Sequence, residues 1–204
     1  IITCDCGITA FHEVEFASLL NIDIIITDHH KQAEKLPKAL AILNPNKKLC
    51  SYPFKGLCGA GVAFKLVMAI SKEINYENDV WTFSDLAAIG TAADMVPILD
   101  ENRIIVSKGL ERINNKSRIG INALMQTSGL KDKQITVGRL SFWFAPKINA
   151  AGRLGDAGRA VKLLISENFN YAIKVAKELE NENLRRREIT ERILVEAENK
   201  INSK

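Results

Sequence analysis

No apolar run in this chain approaches the roughly 20 residues that a membrane-crossing helix needs, and no internal repeat or low-complexity tract is visible. A helical membrane protein and a repeat architecture are set aside on those grounds. Charge of one sign is not in excess either: the net charge of +4 is mild, so bulk electrostatics does not announce a nucleic-acid binder. Cysteine is sparse. Cys4, Cys6, Cys50 and Cys58 occur without a signal-peptide pattern and without the C-x-x-C spacing of zinc knuckles, and Cys4-Asp5-Cys6 is too tight for an ordinary disulfide. The expectation is four reduced thiols in a cytoplasmic protein. An initiator Met is missing and the chain opens directly in strand-like residues, which suggests a fragment cut from a longer protein.

What is present is enough for a core. The 204 residues, 47% hydrophobic and 25% charged, fit one large domain or a domain with an appendage. Ile1-Ile2-Thr3-Cys4 reads as a buried strand ending at Asp5, with Gly7 as a turn residue. Thr9 is placed to cap a helix running to about Leu20, with Phe11, Val14, Phe16, Ala17 and Leu20 available for its inner face. Ile24 to Ile26 is a continuous β-branched run, as expected for a strand covered on both faces, and it stops in Asp28-His29-His30. This β-α-β unit implies parallel strands with a right-handed crossover. Neighbouring strands lie about 4.8 Å apart, so Asp5 and the Asp-His-His triplet can converge at the carboxyl edge, where open α/β sheets place their ligands.

Ala39 to Ile42 is predicted as a third strand, ended by Asn44-Pro45-Asn46, and positions 47–57 as a loop. Gly59-Ala60-Gly61 opens an amphipathic helix through Ile70, and a second helix, roughly Val80 to Ile89, leads into a small-residue turn, Gly90-Thr91-Ala92-Ala93-Asp94. Helices are also expected over Arg103–Ile113, Ile119–Met125 and Ala157–Ile165. Between them Asn149-Ala150-Ala151-Gly152-Arg153-Leu154 reads as a compact polar turn. From about Asn170 to Ile201 there is no Pro or Gly, which predicts one helix on the order of 45–50 Å long. Its middle is polar all round, as in helices that bridge domains.

The chemistry-bearing residues each have an ordinary reading beside a functional one. Asp5 alone is a turn or cap residue, Asp94 likewise, and the two histidines alone are exposed loop residues. Together, three carboxylates and two imidazoles at element ends suit a dinuclear site for a hard-to-borderline divalent ion such as Mn²⁺, of the kind that supports in-line displacement at phosphorus. The Gly59–Gly61 turn either binds phosphate or serves packing. Arg185-Arg186-Arg187 is read as a solvated face paired with Glu182 and Glu188 rather than a DNA contact. Phe142, Trp143 and Phe144 are read as core rather than as a base-stacking surface.

Ile2-Thr3-Cys4-Asp5-Cys6-Gly7-Ile8, Thr27-Asp28-His29-His30 and Gly90-Thr91-Ala92-Ala93-Asp94-Met95-Val96-Pro97 resemble successive motifs of the DHH phosphoesterase superfamily. Leu57-Cys58-Gly59-Ala60-Gly61-Val62-Ala63-Phe64-Lys65 and Ile148-Asn149-Ala150-Ala151-Gly152-Arg153-Leu154 resemble its single-strand-specific exonuclease branch. The resemblance implies an α/β fold: a parallel sheet flanked by helices, then a helical region and a long C-terminal connecting helix. It divides the chain into a phosphoesterase core at 1–130 lacking its N-terminal strand and first motif, a helical segment at 131–168, and an interdomain helix at 169–204.

The resemblance further implies that Asp5 bridges two ions, Mn²⁺ or Mg²⁺, with His29 and Asp94 completing one shell. His30 would contact the scissile phosphate or assist the leaving group, Asp28 would orient the histidines, and Asn149 and Arg153 would lie near substrate phosphate. The implied activity is 5′-to-3′ hydrolysis of single-stranded DNA in repair and recombination, with a recombination helicase and a single-strand-binding protein as further partners and no membrane. The family's first motif, an Asp-x-Asp, and its glycine-rich nucleic-acid-gripping domain have no counterpart here, so the isolated chain is expected to bind metal weakly and to be inactive. The alternatives are another DHH phosphoesterase (oligoribonuclease, cyclic-dinucleotide phosphodiesterase or pyrophosphatase) and a non-catalytic DHH replication scaffold.

Overall fold

The structure, a computed structural model, describes residues 1–76, 79–154 and 156–202. The chain forms two compact units, Ile1–Arg112 and Ile113–Lys204.

The first unit is built on a three-stranded parallel sheet in the order β1 (Ile2–Cys4), β2 (Ile25–Thr27), β3 (Ala41–Leu43). Helix α1 (Phe11–Leu19) makes the crossover from β1 to β2 and buries Val14 and Ala17 against Ile24 and Ile26. A second cluster joins Leu57 to Val62 and Phe64 of α2 (Gly59–Glu73), Ala87 of α3 (Ser84–Ala93) and Ile105 of α4 (Asp100–Lys116). Trp81, in a 3₁₀ turn before α3, closes it edge-on to Phe64 at 5.5 Å between ring centroids.

Three expectations are corrected in this unit. β1 is not buried: Ile2 is 58% exposed, because β1 is an edge strand and α1 covers β2 instead. The helix starts at Phe11 rather than from a Thr9 cap, and Phe11, Phe16 and Leu20 face solvent, leaving Val14 and Ala17 as its whole buried stripe. Gly90 to Ala93 form the last turn of α3, not a turn beyond it. Two alanines and a fully buried Thr91, whose hydroxyl donates to Ala87 O at 2.7 Å, let the helix run on to Asp94.

On this unit's surface Tyr52 donates to Glu101 at 2.6 Å and Lys65 pairs with the other Glu101 oxygen at 2.8 Å. Burial pushes the Glu101 carboxyl up, but the bonds from Lys65 and Tyr52 outweigh it and hold the group below the usual range. The bond to Glu101 likewise raises Lys65 above an ordinary lysine. Glu101 therefore stabilises the fold above about pH 4.3, the unfolded value, and this contribution fades as pH falls through its lowered folded pKa. The Lys65 contribution is complete below about pH 10.4 and is lost as pH rises through its raised folded value. Glu101→Gln is expected to lower the melting temperature most at mid pH, the difference narrowing at both extremes. A pH series of thermal melts checks this, and a constant offset across the series would contradict it.

The second unit is helical. The first part of α9 (Phe169–Asn202) buries Ala172, Val175, Ala176, Leu179 and Asn183 against α5 (Ile119–Thr127), α7 (Ala145–Leu154) and α8 (Gly158–Leu164). The expected long helix is present, and positions 203 and 204 of its predicted range lie outside the described residues. The polar turn expected at 149–154 is instead part of α7: Ala150 and Ala151 are good helix formers and both are fully buried. A short helix, α6 (Val137–Arg139), and a π-helical turn, Leu140–Phe144, lead into α7. Pro146 cannot donate to the carbonyl four residues back, and the wider turn accommodates that break. Phe144 is core, as expected, but Phe142 and Trp143 are 72% and 47% exposed, so two of the three aromatics do not pack inside.

Glu182 pairs with Arg159 of α8 at 2.6 Å, and Arg186 bonds Asn183, instead of the expected pairing along the helix with Glu182. Lys147, almost fully buried, reaches Ser128 at 2.6 Å and also pairs with Glu180 of α9. All four cysteines are free thiols. Among the described residues no helix is long and apolar enough to cross a membrane.

Candidate metal centre

Register aligns the site. Cys4, Thr27 and Leu43 are in line across the three strands, so the next residues, Asp5, Asp28 and Asn44, share the carboxyl edge. The ladder extends one bond further at each step, with Asp5 N–H donating to Thr27 O at 2.9 Å and Asp28 N–H to Leu43 O at 3.0 Å.

Asp28 is the hub of this edge and is only 1% exposed. One oxygen accepts the N–H of His29 at 2.7 Å, the N–H of His30 at 3.1 Å and His30 Nδ1 at 2.7 Å; the other accepts the N–H of Ile8 at 2.9 Å. Burial pushes its carboxyl pKa up, but the bonds from Ile8, the His30 ring and the two histidine amides together hold it below the usual range. The same bond raises the His30 pKa, against a smaller opposing effect of burial. With Nδ1 held by Asp28, Nε2 is the ring atom His30 offers to a ligand.

Asp5 takes a left-handed backbone conformation, φ 63°, uncommon for a residue with a side chain. Thr27 Oγ1 donates to Thr3 O at 2.6 Å and Thr3 Oγ1 to Cys6 O at 2.7 Å, fixing the turn that carries it. Space for the carboxylate comes from Gly59 at the start of α2, where a Cβ would fall 2.2 Å from Asp5 Oδ1. Cys58 caps that helix by accepting the Gly61 N–H. Asp94 caps the other end of the approach: one turn earlier Gly90 meets Ala60, where a Cβ would lie 2.4 Å away, so α3 comes close enough to α2 to deliver Asp94.

These elements bring Asp5 and Asp94 to a single atom. His29 Nε2 lies 3.1 Å from Asp5 Oδ1 and 3.5 Å from Asp94 Oδ2. Despite those distances the nitrogen, which is buried, has no aligned hydrogen bond. Among the described residues no Lys or Arg forms an ion pair with either carboxylate. Asp5, His29 and His30 also offer ligand atoms within 4.8 Å of one another. The nearby thiols are unsuited to serve as thiolates: burial raises the pKa of Cys4, with the Asp5 charge adding to it, and burial raises that of Cys58. An unbonded imidazole nitrogen between two unneutralised carboxylates is a donor set that fits a divalent cation of the Mn²⁺ or Mg²⁺ class.

Of the predicted site residues, the structure gathers Asp5, Asp28, His29, His30 and Asp94 at one sheet edge. Asn149 and Arg153 lie exposed on α7 in the second unit. Three further residues shape the site. Of the two roles open to Gly59, phosphate binding or packing, the structure shows packing: it makes room for Asp5. Asn44 and Asn46 were read as a strand end, but each donates to a histidine carbonyl, Asn44 to His30 O at 2.9 Å and Asn46 to His29 O at 2.6 Å. Asn44 occupies the same register position as Asp5 and Asp28, and that was the available signal.

The profile described as "DHH family, N-terminal domain" matches residues 1–91. The single-stranded-DNA-specific exonuclease RecJ of Bacillus subtilis (strain 168) is 43% identical over 197 residues, 97% of this chain. Residues 1–91 are a DHH-family domain. Another relative, RecJ of Escherichia coli (strain K12), is 38% identical over 97% of this chain. The chain spans 24% of the length of the first of these relatives and 36% of the second. Two solved structures superpose on 96% of it at 34% identity. One is RecJ in complex with Mn²⁺ from Thermus thermophilus, with a TM-score of 0.84 over 29% of that chain; the other is exonuclease RecJ bound to manganese, 0.86 over 49%. The expected fold, a parallel sheet with flanking helices followed by a helical region and a long helix, is that of this DHH family.

Proposed function

We propose that this chain supplies the metal-binding core of a RecJ-type exonuclease that hydrolyses single-stranded DNA from the 5′ end. The observation that carries the reading is the buried, unbonded His29 Nε2 facing Asp5 and Asp94. Asp5, His29 and Asp94 are the residues that would hold Mn²⁺ or Mg²⁺. Ions held there would supply an activated water nucleophile and neutralise charge building at phosphorus.

The chain's own residues supply alignment. Asp28 holds His30 Nδ1, so that His30 Nε2 is aimed at the scissile phosphate or its leaving oxygen. Asn149 and Arg153 bind substrate phosphate, Arg153 through its fork of donors. Exposed Phe142 and Trp143 offer faces on which bases of a single strand can stack. The cytoplasm, where thiols stay reduced, is the proposed compartment, and a recombination helicase and a single-strand-binding protein are the proposed partners.

The test uses the protein at its natural length with Mn²⁺, a long single strand labelled at either end, and a dinucleotide. The expected result is release of mononucleotides from the 5′ end, reduced at least about a hundredfold by His29→Ala, the order lost when a reacting group is misplaced. Preferential cleavage of the dinucleotide favours another DHH phosphoesterase, and metal-independent DNA binding without cleavage favours a replication scaffold.

A further inference from the structure

The loop after β3 grips the peptide units of both histidines. Asn44, 4% exposed, donates through Nδ2 to His30 O at 2.9 Å and accepts the Asn46 N–H at 2.7 Å. Asn46 donates through Nδ2 to His29 O at 2.6 Å. Lys48 N–H reaches back to Gln32 Oε1 at 2.6 Å, tying the same two loops together a second time. On the opposite side of these peptides, the N–H groups of His29 and His30 are held by Asp28.

A turn after a strand needs only the bond from Asn46 N–H to Asn44 Oδ1 to close itself. The two amide donors are directed elsewhere, onto carbonyls 17 and 14 residues earlier in the chain. They fall on the backbone of the two residues whose rings form the centre. The peptide joining His29 to His30 is thus held at both its carbonyl and its N–H, and the peptides on either side are each held at one end, so each ring inherits a defined origin.

We infer that Asn44 and Asn46 are positioning residues for the metal centre: by holding the His30 and His29 carbonyls they fix where His29 Nε2 stands relative to Asp5 and Asp94. This rests on the metal reading of the site. Partners bonded directly to a ligand side chain typically govern metal affinity by roughly 10- to 100-fold, and a hold on the ligand's backbone is placed at the low end of that range.

Asn46 is solvent-exposed, so its replacement leaves the core intact and the donor can be tested by itself. Asn46→Asp keeps size and shape but turns the donor into an acceptor; Asn46→Ala removes the group. The measurement is Mn²⁺ affinity by isothermal titration on the natural-length protein, well below the melting temperature, with kcat and KM on single-stranded DNA beside it. Both variants are expected to bind Mn²⁺ about tenfold more weakly, with kcat lowered, KM for DNA little changed, and activity restored by excess Mn²⁺. Asn44→Asp, which retains the turn bond and loses the donor to His30, is expected to do the same. Wild-type Mn²⁺ affinity in Asn46→Asp overturns the inference, as does a loss of affinity that appears only where the variant begins to unfold. His29→Ala separates the two claims: if it binds Mn²⁺ as the parent does, the metal reading itself has failed.

Discussion

Gly59→Ala is expected to slow Mn²⁺-dependent hydrolysis by the natural-length protein about 100-fold, with the melting temperature lower by only a few degrees. The new methyl carbon would stand 2.2 Å from Asp5 Oδ1 and 2.4 Å from Asp5 Cβ, closer than any real contact, so something must move. Swinging the half-exposed Asp5 carboxylate into water frees Oδ1 but not Cβ, whose position the backbone sets, so the turn carrying Asp5 must shift away from the first turn of α2 as well. Overpacking that forces such a backbone shift typically costs about 1–3 kcal/mol. Alanine in place of glycine in a helix returns roughly 1 kcal/mol, less so in the first turn. The net loss is about 0–2 kcal/mol, a few degrees of melting temperature, and the larger effect falls on the site.

A carboxylate moved by an ångström or more no longer faces His29 Nε2, and a misplacement of that size typically costs about 100-fold in rate. Asp5→Ala is expected to match it, and the double variant to be no worse than either single one, since both remove the same ligand. Melting curves, Mn²⁺ titration and single-strand hydrolysis on the three variants check the prediction. Activity within a few-fold of the parent in Gly59→Ala would contradict it.

A carboxylate and a glycine differ in how much of their role a sequence discloses. Asp5, Asp28, His29, His30 and Asp94 carry reactive groups at the ends of periodic segments, and the β-α-β pattern alone sends the first four to one edge. The strand over Ile24–Ile26 and the long helix from Asn170 were legible for a similar reason, a sustained pattern with clear stops. Gly59 has no side chain to suggest chemistry, and its role exists only because Asp5, far earlier in the chain, occupies the space a Cβ would take. Asn44 and Asn46 were seen as punctuation because donors aimed at a distant backbone carbonyl leave no periodic trace.

The helical misreadings share a different cause. In 149–153 and 90–93, glycine and asparagine or threonine suggested turns, but buried Ala150, Ala151 and Ala92 set the local conformation through packing, and packing overrides a single weak helix former. Phe142 and Trp143 depart from the usual rule that large aromatics are buried: in the π-helical turn before Pro146, Leu140 and Phe144 face inward and the two rings between them are exposed.

Asp28→Asn carries the largest expected combined effect on stability and on the site. An asparagine has one acceptor oxygen where Asp28 uses two. If that oxygen stays with His29 and His30, the new NH₂ points at the Ile8 N–H, donor against donor, at a contact that is now 2.9 Å. Ile8 is 2% exposed, so no water replaces the lost partner, and a buried unsatisfied N–H costs about 1–3 kcal/mol. The opposite flip is worse, because three donors then lose their acceptor. For a chain of this length the milder case corresponds to a melting temperature lower by roughly 2–12 °C, at about 2–4 °C per kcal/mol. The functional loss follows from what the Ile8 bond connects: the loop carrying Asp5 on one side and the Asp-His-His turn on the other. Once it is broken, Asp5 and His29 are no longer held to a common point, and a Mn²⁺ affinity at least about tenfold weaker is expected. Asp28→Glu should not restore either property, since an extra methylene has no room at a position 1% exposed. An Asp28→Asn protein that melts and titrates Mn²⁺ like its parent would mean that the carboxylate's charge and second oxygen do not hold this edge together.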